Sequence, residues 1–256
     1  MKPRALIAHA SGTNRDHDVA WALELAGAEP EIVHLNQLRD RDRNLLDYQM
    51  LVLPGGFSYG DDLGAGKLWA VALRHRLGED LEEFITQQRP ILGICNGFQT
   101  LVKSGLLPAL DGSIDQQATL TRNDSGRFEC RWVELDPNLD SLSPWLRGLN
   151  SRVDCPVAHG EGRFVADDET IARIEDQGLV AFRYRVADKV NAYPANPNGS
   201  TNHIAGITNP TGTILGLMPH PENHVVPRQH PNRHQQHDAG LGLPLFQNGV
   251  AYAADT

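Results

Sequence analysis

Three residues offer the reactive chemistry of this chain: Cys95 in GICNGFQ, and His220 with Glu222 in MPHPE. Gly93-Ile94-Cys95-Asn96-Gly97 has the G-x-nucleophile-x-G form of a nucleophile elbow. In such a turn a strand feeds sharply into a helix, and the nucleophile projects from a strained position. The thiolate is the reactive form of cysteine, and the partial positive charge at a helix start favours it. The N–H of Asn96 would meet an oxyanion forming on an attacked carbonyl. The flanking glycines remove side chains that would block strand, helix and substrate from packing closely. Taken alone, the same pattern fits a core cysteine beside packing glycines.

His220 and Glu222 supply a base and its orienting group. Pro221 between them biases His220 toward an extended backbone. Residues i and i+2 of an extended segment share a side. The carboxylate can then hold one imidazole nitrogen while the other faces a nucleophile. Read alone, His-Pro-Glu is also a surface turn. A second oxyanion donor is available in LVLPGGFSYGDD, where an apolar run ends in Pro54-Gly55-Gly56 and leaves a bare N–H at Gly56. Pro-Gly-Gly is equally a plain loop. All three motifs follow apolar runs, and strand ends are where α/β sheets carry their sites. Their joint occurrence favours a site.

The elements that must position these groups are legible as alternating runs. Strands are predicted over residues 5–9, 31–35, 49–53 and 90–94, and helices over 18–26, 68–87 and 96–104. Strands apolar on both faces, alternating with helices, predict a parallel sheet covered by helices. From about Leu120 the pattern changes to period-2 runs, TRNDSGRFECRWVEL and LVAFRYRV, followed by the apolar ILGLMP. NAYPANPNGSTN between them is a turn-rich loop. The end of the chain is polar, His-rich and irregular before a short terminal helix. The expected fold class is α/β: an open, mostly parallel sheet flanked by helices, with additional antiparallel strands. One domain over residues 1–256 is expected, with an irregular His-rich C-terminal extension from about residue 225.

Composition narrows the function. The 256 residues, 40% of them hydrophobic, suffice for one large core. A net charge of −9 lacks the basic footprint of a nucleic-acid protein. No signal peptide or apolar run of about 18 residues is present, so no membrane association is expected. Three cysteines, Cys95, Cys130 and Cys155, form no C-x-x-C pair and no disulfide framework. A reducing cytoplasm suits them. DDLGAGKL has Gly66-Lys67 but lacks the first glycine and the hydroxyl of a phosphate-binding loop, and no G-x-G-x-x-G follows a strand. No nucleotide site is expected in this chain.

Together, LPGGFSYGD, GICNGFQ, NPNGS, IAGI and MPHPE resemble the class I (triad-type) glutamine amidotransferases. More narrowly they resemble the glutaminase subunits of phosphoribosylformylglycinamidine synthase, and RNDSGRFECRW and AHGEGRF fit the same family. The resemblance spans roughly residues 5–225 and continues weakly to LFQNGVAYA. It implies a flavodoxin-like sheet, Cys95 as nucleophile, His220 as acid–base and Glu222 as its orienting residue. It further implies Gly56 and Asn96 as backbone oxyanion donors and Gln99 as a contact to bound L-glutamine. The implied reaction releases ammonia from glutamine through a glutamyl thioester. With ATP, that ammonia converts formylglycinamide ribonucleotide to formylglycinamidine ribonucleotide in purine biosynthesis. The resemblance places ATP and Mg on a separate synthetase subunit, leaves this chain without a cofactor or metal, and adds a small bridging subunit. Arg15 stands where many relatives carry Cys, GDDLGAGKLW is atypical, and the His-rich tail departs most.

Three rival readings use the same residues. A glutaminase serving the synthetase for GMP, imidazole glycerol phosphate or pyridoxal phosphate is disfavoured by GICNGFQ and NPNGS. A Cys-elbow stress hydrolase or chaperone of the same architecture need not carry His-Pro-Glu. A metal-binding module would use the i, i+4 spacing of His220 with His224 and of His230 with His234, followed by His237. Pro221, Pro227 and Pro231 argue against helices there. Cys130 and Cys155 read as core thiols. His159, in a Gly-rich turn, either lines the site or an interface or has no such role. Arg122, Arg127 and Arg131 default to a solvated face, although Arg127 falls in a segment whose backbone contacts glutamine in relatives.

Overall fold

A computed structural model describes residues 2–187, 192–232 and 240–256 of the chain. The first half runs β1 (Arg4–His9), α1 (Asp16–Ala26), β2 (Glu29–His34), α2 (Leu35–Arg39), β3 (Met50–Leu53), α3 (Lys67–Thr86), β4 (Ile91–Ile94) and α4 (Asn96–Lys103). The second half continues with β5 (Thr119–Thr121), β6 (Glu129–Pro137), β7 (Val153–His159), β8 (Arg163–Val165) and α5 (Asp168–Asp176). It closes with β9 (Val180–Tyr184), β10 (Ile204–Thr208), β11 (Ile214–Leu217) and α6 (Leu243–Asp255).

Nine strands form one sheet in the order β2-β1-β3-β4-β11-β10-β9-β6-β7. The side from β2 to β11 is parallel, and the remaining pairings are antiparallel. The parallel strands MLVL, ILGI and ILGL are buried at every position, which is why they read as unbroken apolar runs. In β6 the alternation decides which side chains enter the core: Val133 and Leu135 are buried, whereas Cys130 and Glu134 face outward. Cys130 is therefore an exposed thiol, not the expected core thiol, because it shares its face of the strand with Trp132, Glu134 and Asp136, none of which is fully buried.

Register does the positioning. Leu53 of β3 pairs with Gly93 of β4, and Leu217 of β11 pairs with Ile94. The C-terminal ends of three adjacent strands thus coincide, with Cys95 in the middle strand's exit. The expected period-2 stretch at 121–135 is interrupted, since β5 ends at Thr121 and β6 begins only at Glu129. Helix α5 carries its own local signals. The Asp167 side chain accepts from the Thr170 N–H at 2.7 Å as a cap, and Ile171 and Ile174 bury one face. The terminal helix α6 packs on α1, and Gly249 lies so close to Trp145 that a Cβ there would come within 2.1 Å of the ring.

Candidate active site

Cys95 occupies the turn between β4 and α4 with φ 50° and ψ −104°, a left-handed conformation that an L side chain adopts only under constraint. The constraint is visible on both sides. Its N–H donates to Leu217 O at 2.9 Å, and its carbonyl accepts from the Gln99 N–H at 3.0 Å to open α4. Two residues on, a Cβ at Gly97 would lie 1.9 Å from Leu53 O. Only glycine lets α4 start this close to β3. The thiol itself is 5% exposed, and Sγ lies 3.9 Å from Ala158 O on the end of β7.

β11 delivers His220 to the same place. Its N–H donates to Pro156 O at 2.8 Å, and Nδ1 is 2.6 Å from Glu222 Oε1. Both side chains are buried, and His220 Nε2 and Glu222 Oε2 have no hydrogen-bond partner in the described structure. Burial would push the imidazole's pKa down, but the Glu222 charge and Cys95 outweigh it and carry it to about 10. Nδ1 is committed to Glu222, so Nε2 is the nitrogen left for the thiol. An imidazole with a buried carboxylate behind it can draw the proton from a neighbouring thiol and keep it. The Pro54–Gly56 turn abuts this pair, since a Cβ at Gly55 would meet His220 Cε1 at 2.7 Å. Cys155 is a buried core thiol as expected; burial first, then Glu222, pushes its proton affinity well up.

Gly56 has φ 146°, and a Cβ there would sit 2.8 Å from Asn14 N. No hydrogen bond in the described structure engages the N–H of Gly56 or of Asn96. Both flank the elbow, one on the exit of β3 and one on the first residue of α4. The Asn96 side chain is a strut that the sequence did not announce. Its Oδ1 accepts from Ser58 N–H at 3.1 Å, and its Nδ2 donates to Asp61 Oδ1 and Gln99 Oε1, each at 3.0 Å. Gln99 in turn donates Nε2 to Glu161 O at 2.5 Å, which links α4 to the loop after β7. Burial, then the nearby Glu161 carboxylate, pushes Asp61 up to about 6 against the hydrogen bond from Asn96.

His159 is buried at the end of β7, close enough to His220 for that charge to bear on it. Asn123 and Asn198, both buried, bond to it and were not singled out from sequence. The signal for them was weak: asparagines in turn-rich segments usually face water. Arg131 pairs with Glu129 and donates to Tyr193 Oη at 2.8 Å, while Arg122 and Arg127 are exposed. The tail histidines do not converge on His220. His224 donates Nδ1–H to Asp154 O at 2.6 Å, and His224 and His230 both set their rings against Trp132, with centroids 5.2 and 4.5 Å away. His234 and His237 lie outside the described residues, and among the described residues no group of three or more His, Cys, Asp or Glu could hold a metal. Among those residues, too, no helix is long and apolar enough to cross a membrane.

Comparison with known proteins gives the family of the chain. Residues 2–253 match the model of the CobB/CobQ-like glutamine amidotransferase domain. The phosphoribosylformylglycinamidine synthase subunit PurQ of Treponema denticola is 48% identical, over 98% of this chain and 99% of the relative. The protein of the same name from Dehalococcoides mccartyi is 43% identical, over 98% of each. A solved structure described as PurLQS from Thermotoga maritima superposes with a TM-score of 0.74 at 35% identity, covering 98% of this chain and 99% of that one.

Proposed function

The chain belongs to the CobB/CobQ-like glutamine amidotransferase family, and from that premise we propose that it hydrolyses L-glutamine through Cys95, His220 and Glu222 as the glutaminase subunit of a phosphoribosylformylglycinamidine synthase. The observation that carries this reading is the juxtaposition at the strand ends: a strained cysteine at a helix start, beside a buried His–Glu pair with its Nε2 unengaged. Full-length similarity to curated subunits of that synthase supports the choice of substrate pathway.

In this mechanism His220 Nε2 takes the Cys95 proton, and Glu222 holds the resulting imidazolium in place. The thiolate attacks the side-chain amide carbon of glutamine. The N–H groups of Gly56 and Asn96 receive the amide oxygen as it becomes an oxyanion. His220 returns its proton to the amide nitrogen, the C–N bond breaks, and ammonia leaves a γ-glutamyl thioester on Cys95. A water, losing its proton to His220, then adds to the thioester and releases glutamate and the thiol. Gln99, anchored on both sides of its amide, lines the glutamine pocket.

The ammonia passes to a synthetase subunit that uses ATP and Mg to convert formylglycinamide ribonucleotide to formylglycinamidine ribonucleotide, with a small bridging subunit completing the assembly. The Thermotoga maritima structure described as PurLQS supports such an assembly. The whole chain, 1–256, acts as one amidotransferase domain, and its extension from about residue 225 packs back through α6. Three free cysteines suit a cytoplasmic setting.

The test is covalent labelling with a glutamine-shaped electrophile, read by intact mass and peptide mapping, with Cys95→Ser as control. A single adduct on Cys95, blocked by glutamine and not by glutamate, supports the reading. Labelling spread over Cys95, Cys130 and Cys155, or none even with the synthetase present, sinks it.

A further inference from the structure

The triad leaves unused a buried imidazole, His159, whose surroundings are fully built. Its tautomer follows from two amides that the backbone orients. Asn198 Oδ1 accepts from Ser200 N–H at 3.0 Å and Ser200 Oγ–H at 2.8 Å. Asn198 Nδ2 must therefore be the atom that donates, to Tyr184 Oη at 3.0 Å and toward His159 Nε2 at 3.4 Å. On the other side, Asn123 Nδ2 donates to Arg127 O at 2.9 Å and to His159 O at 2.8 Å. That leaves Asn123 Oδ1 as an acceptor, shared by Gly162 N–H at 2.9 Å and His159 Nδ1–H at 3.2 Å. Only an imidazole with its proton on Nδ1 satisfies both neighbours. Burial, with the charge on His220 adding to it, holds His159 down at about 4, so it stays in that neutral form.

What this network holds is the segment that faces Cys95 and Gln99. Ala158 O lies 3.9 Å from Cys95 Sγ, and Glu161 O takes the Gln99 amide. Glu161 Oε2 accepts from Ala65 N–H at 3.1 Å, which ties the 57–66 loop to the same segment. The imidazole also supports the chain sterically, because a Cβ at Gly162 would lie 2.3 Å from His159 Cε1. Asn123 N–H donates to Gly160 O at 2.9 Å, so the turn is pinned at 159, 160 and 162. These contacts join those of Glu161 to Gln99 and Ala65 in holding a turn whose glycines would otherwise leave it free to adopt several conformations.

We infer that His159 is a positioning residue: as the Nδ1–H tautomer bridging Asn123 and Asn198, it fixes the 158–162 strand end as the wall that presents glutamine to Cys95. The inference rests on the amidotransferase reading and names a residue of the same pocket. It acts on glutamine recognition and not on the thiol's intrinsic reactivity. That distinction makes it testable.

In the full-length protein, the rate of Cys95 labelling is compared for a glutamine-shaped electrophile and for iodoacetamide. In His159→Leu the first rate should fall by about tenfold or more, the scale of a lost buried hydrogen bond, while the second changes less than about twofold. In the glutaminase assay KM for glutamine should rise by a similar factor, with kcat held within about threefold. His159→Asn, whose amide reaches the Nδ1 position, should restore selectivity, and His159→Gln, whose amide reaches toward Nε2, should not. These two variants decide the matter if the Leu variant does not fold; equal behaviour of Asn and Gln overturns the inference. Unchanged selectivity in His159→Leu, or parallel loss with both electrophiles, overturns it as well. Wild-type protein without glutamine-blocked labelling would overturn the amidotransferase reading, and this inference with it.

Discussion

Leu217 of β11 pairs in parallel register with Ile94 of β4. One residue past Ile94 is the cysteine of the elbow, and three past Leu217 is the histidine that faces it. The pairing brings two distant motifs into one candidate site, where His220 and Glu222 lie 2.6 Å apart. A slip of one residue in that register would put a larger side chain where Gly216 lies, a place at which a Cβ would come within 2.1 Å of the Phe98 ring, so core packing enforces the register.

Glu222→Gln should reduce kcat/KM for glutamine by at least about a hundredfold, because the imidazolium loses the charge that holds it. The same change should alter stability against pH. His220 titrates at 6.5 ordinarily and at about 10 in the folded chain. Between those values the folded state binds more protons than the unfolded, so this contribution is complete below 6.5 and is lost as pH rises through about 10. Urea midpoints from pH 6 to 10 should slope downward in the wild type and flatten in Glu222→Gln. Parallel slopes would mean that Glu222 does not raise the affinity of His220 for its proton.

Asp61 predicts the opposite use of a carboxylate. Its folded pKa is about 6 against an ordinary 3.8, raised by burial and Glu161. The folded state then holds the proton that the unfolded state has lost, so native stability falls as pH rises through that window and stays lowered above it. Asp61→Asn removes the charge and retains the Oδ1 acceptor for Asn96. Its urea midpoint should exceed the wild type's at pH 8 and match it below pH 3.8. A lower midpoint at pH 8 would refute the assignment.

Two glycines should respond in opposite directions to alanine. Gly78 lies within α3, where a Cβ would meet nothing within 4 Å. Gly78→Ala should stabilise the chain by about 0.5–1 kcal/mol through helix entropy. Gly97→Ala forces a methyl to 1.9 Å from Leu53 O, and should destabilise by about 1–3 kcal/mol or more as α4 is pushed from β3. Denaturant unfolding of both variants checks the pair, and a neutral Gly97→Ala would contradict the tight elbow.

The cysteines should separate by reactivity. Cys130 is exposed, and Cys155 is buried with its thiol pushed up. A neutral disulfide reagent should modify Cys130 in native protein and reach Cys155 only on unfolding. Cys155 modification in the native state at a rate matching Cys130 would argue that the core opens there.

The parallel half and the candidate residues Cys95, His220 and Glu222 are legible because each depends on patterns the chain carries locally. Val, Ile and Leu runs mark buried strands, and the elbow sits in five consecutive residues; the spacing of His220 and Glu222 reads as an extended segment, whereas Pro221–His224 is a 3-10 turn that brings the two side chains to 2.6 Å. What escaped the sequence depends on long-range contact. Cys130 read as a core residue because period-2 alternation gives two faces without saying which is inside; the pairing of β6 with β7 and β9 decides that. Asn123 and Asn198 look like ordinary loop asparagines until the fold buries them, and the side-chain partners of Asn96 come from Ser58 and Asp61, far along the chain.

By itself, then, the sequence determined which residue types could react and which segments would form strands and helices, since propensity, glycine sterics and proline restriction act between neighbours along the chain. Only the tertiary structure decided that three strand ends meet, that His220 lies beside Cys95 with Glu222 behind it, and that Asn123 and Asn198 enclose His159. Each of those depends on burial and on hydrogen-bond partners supplied from elsewhere in the chain, and such terms have no value until the sheet has closed its register.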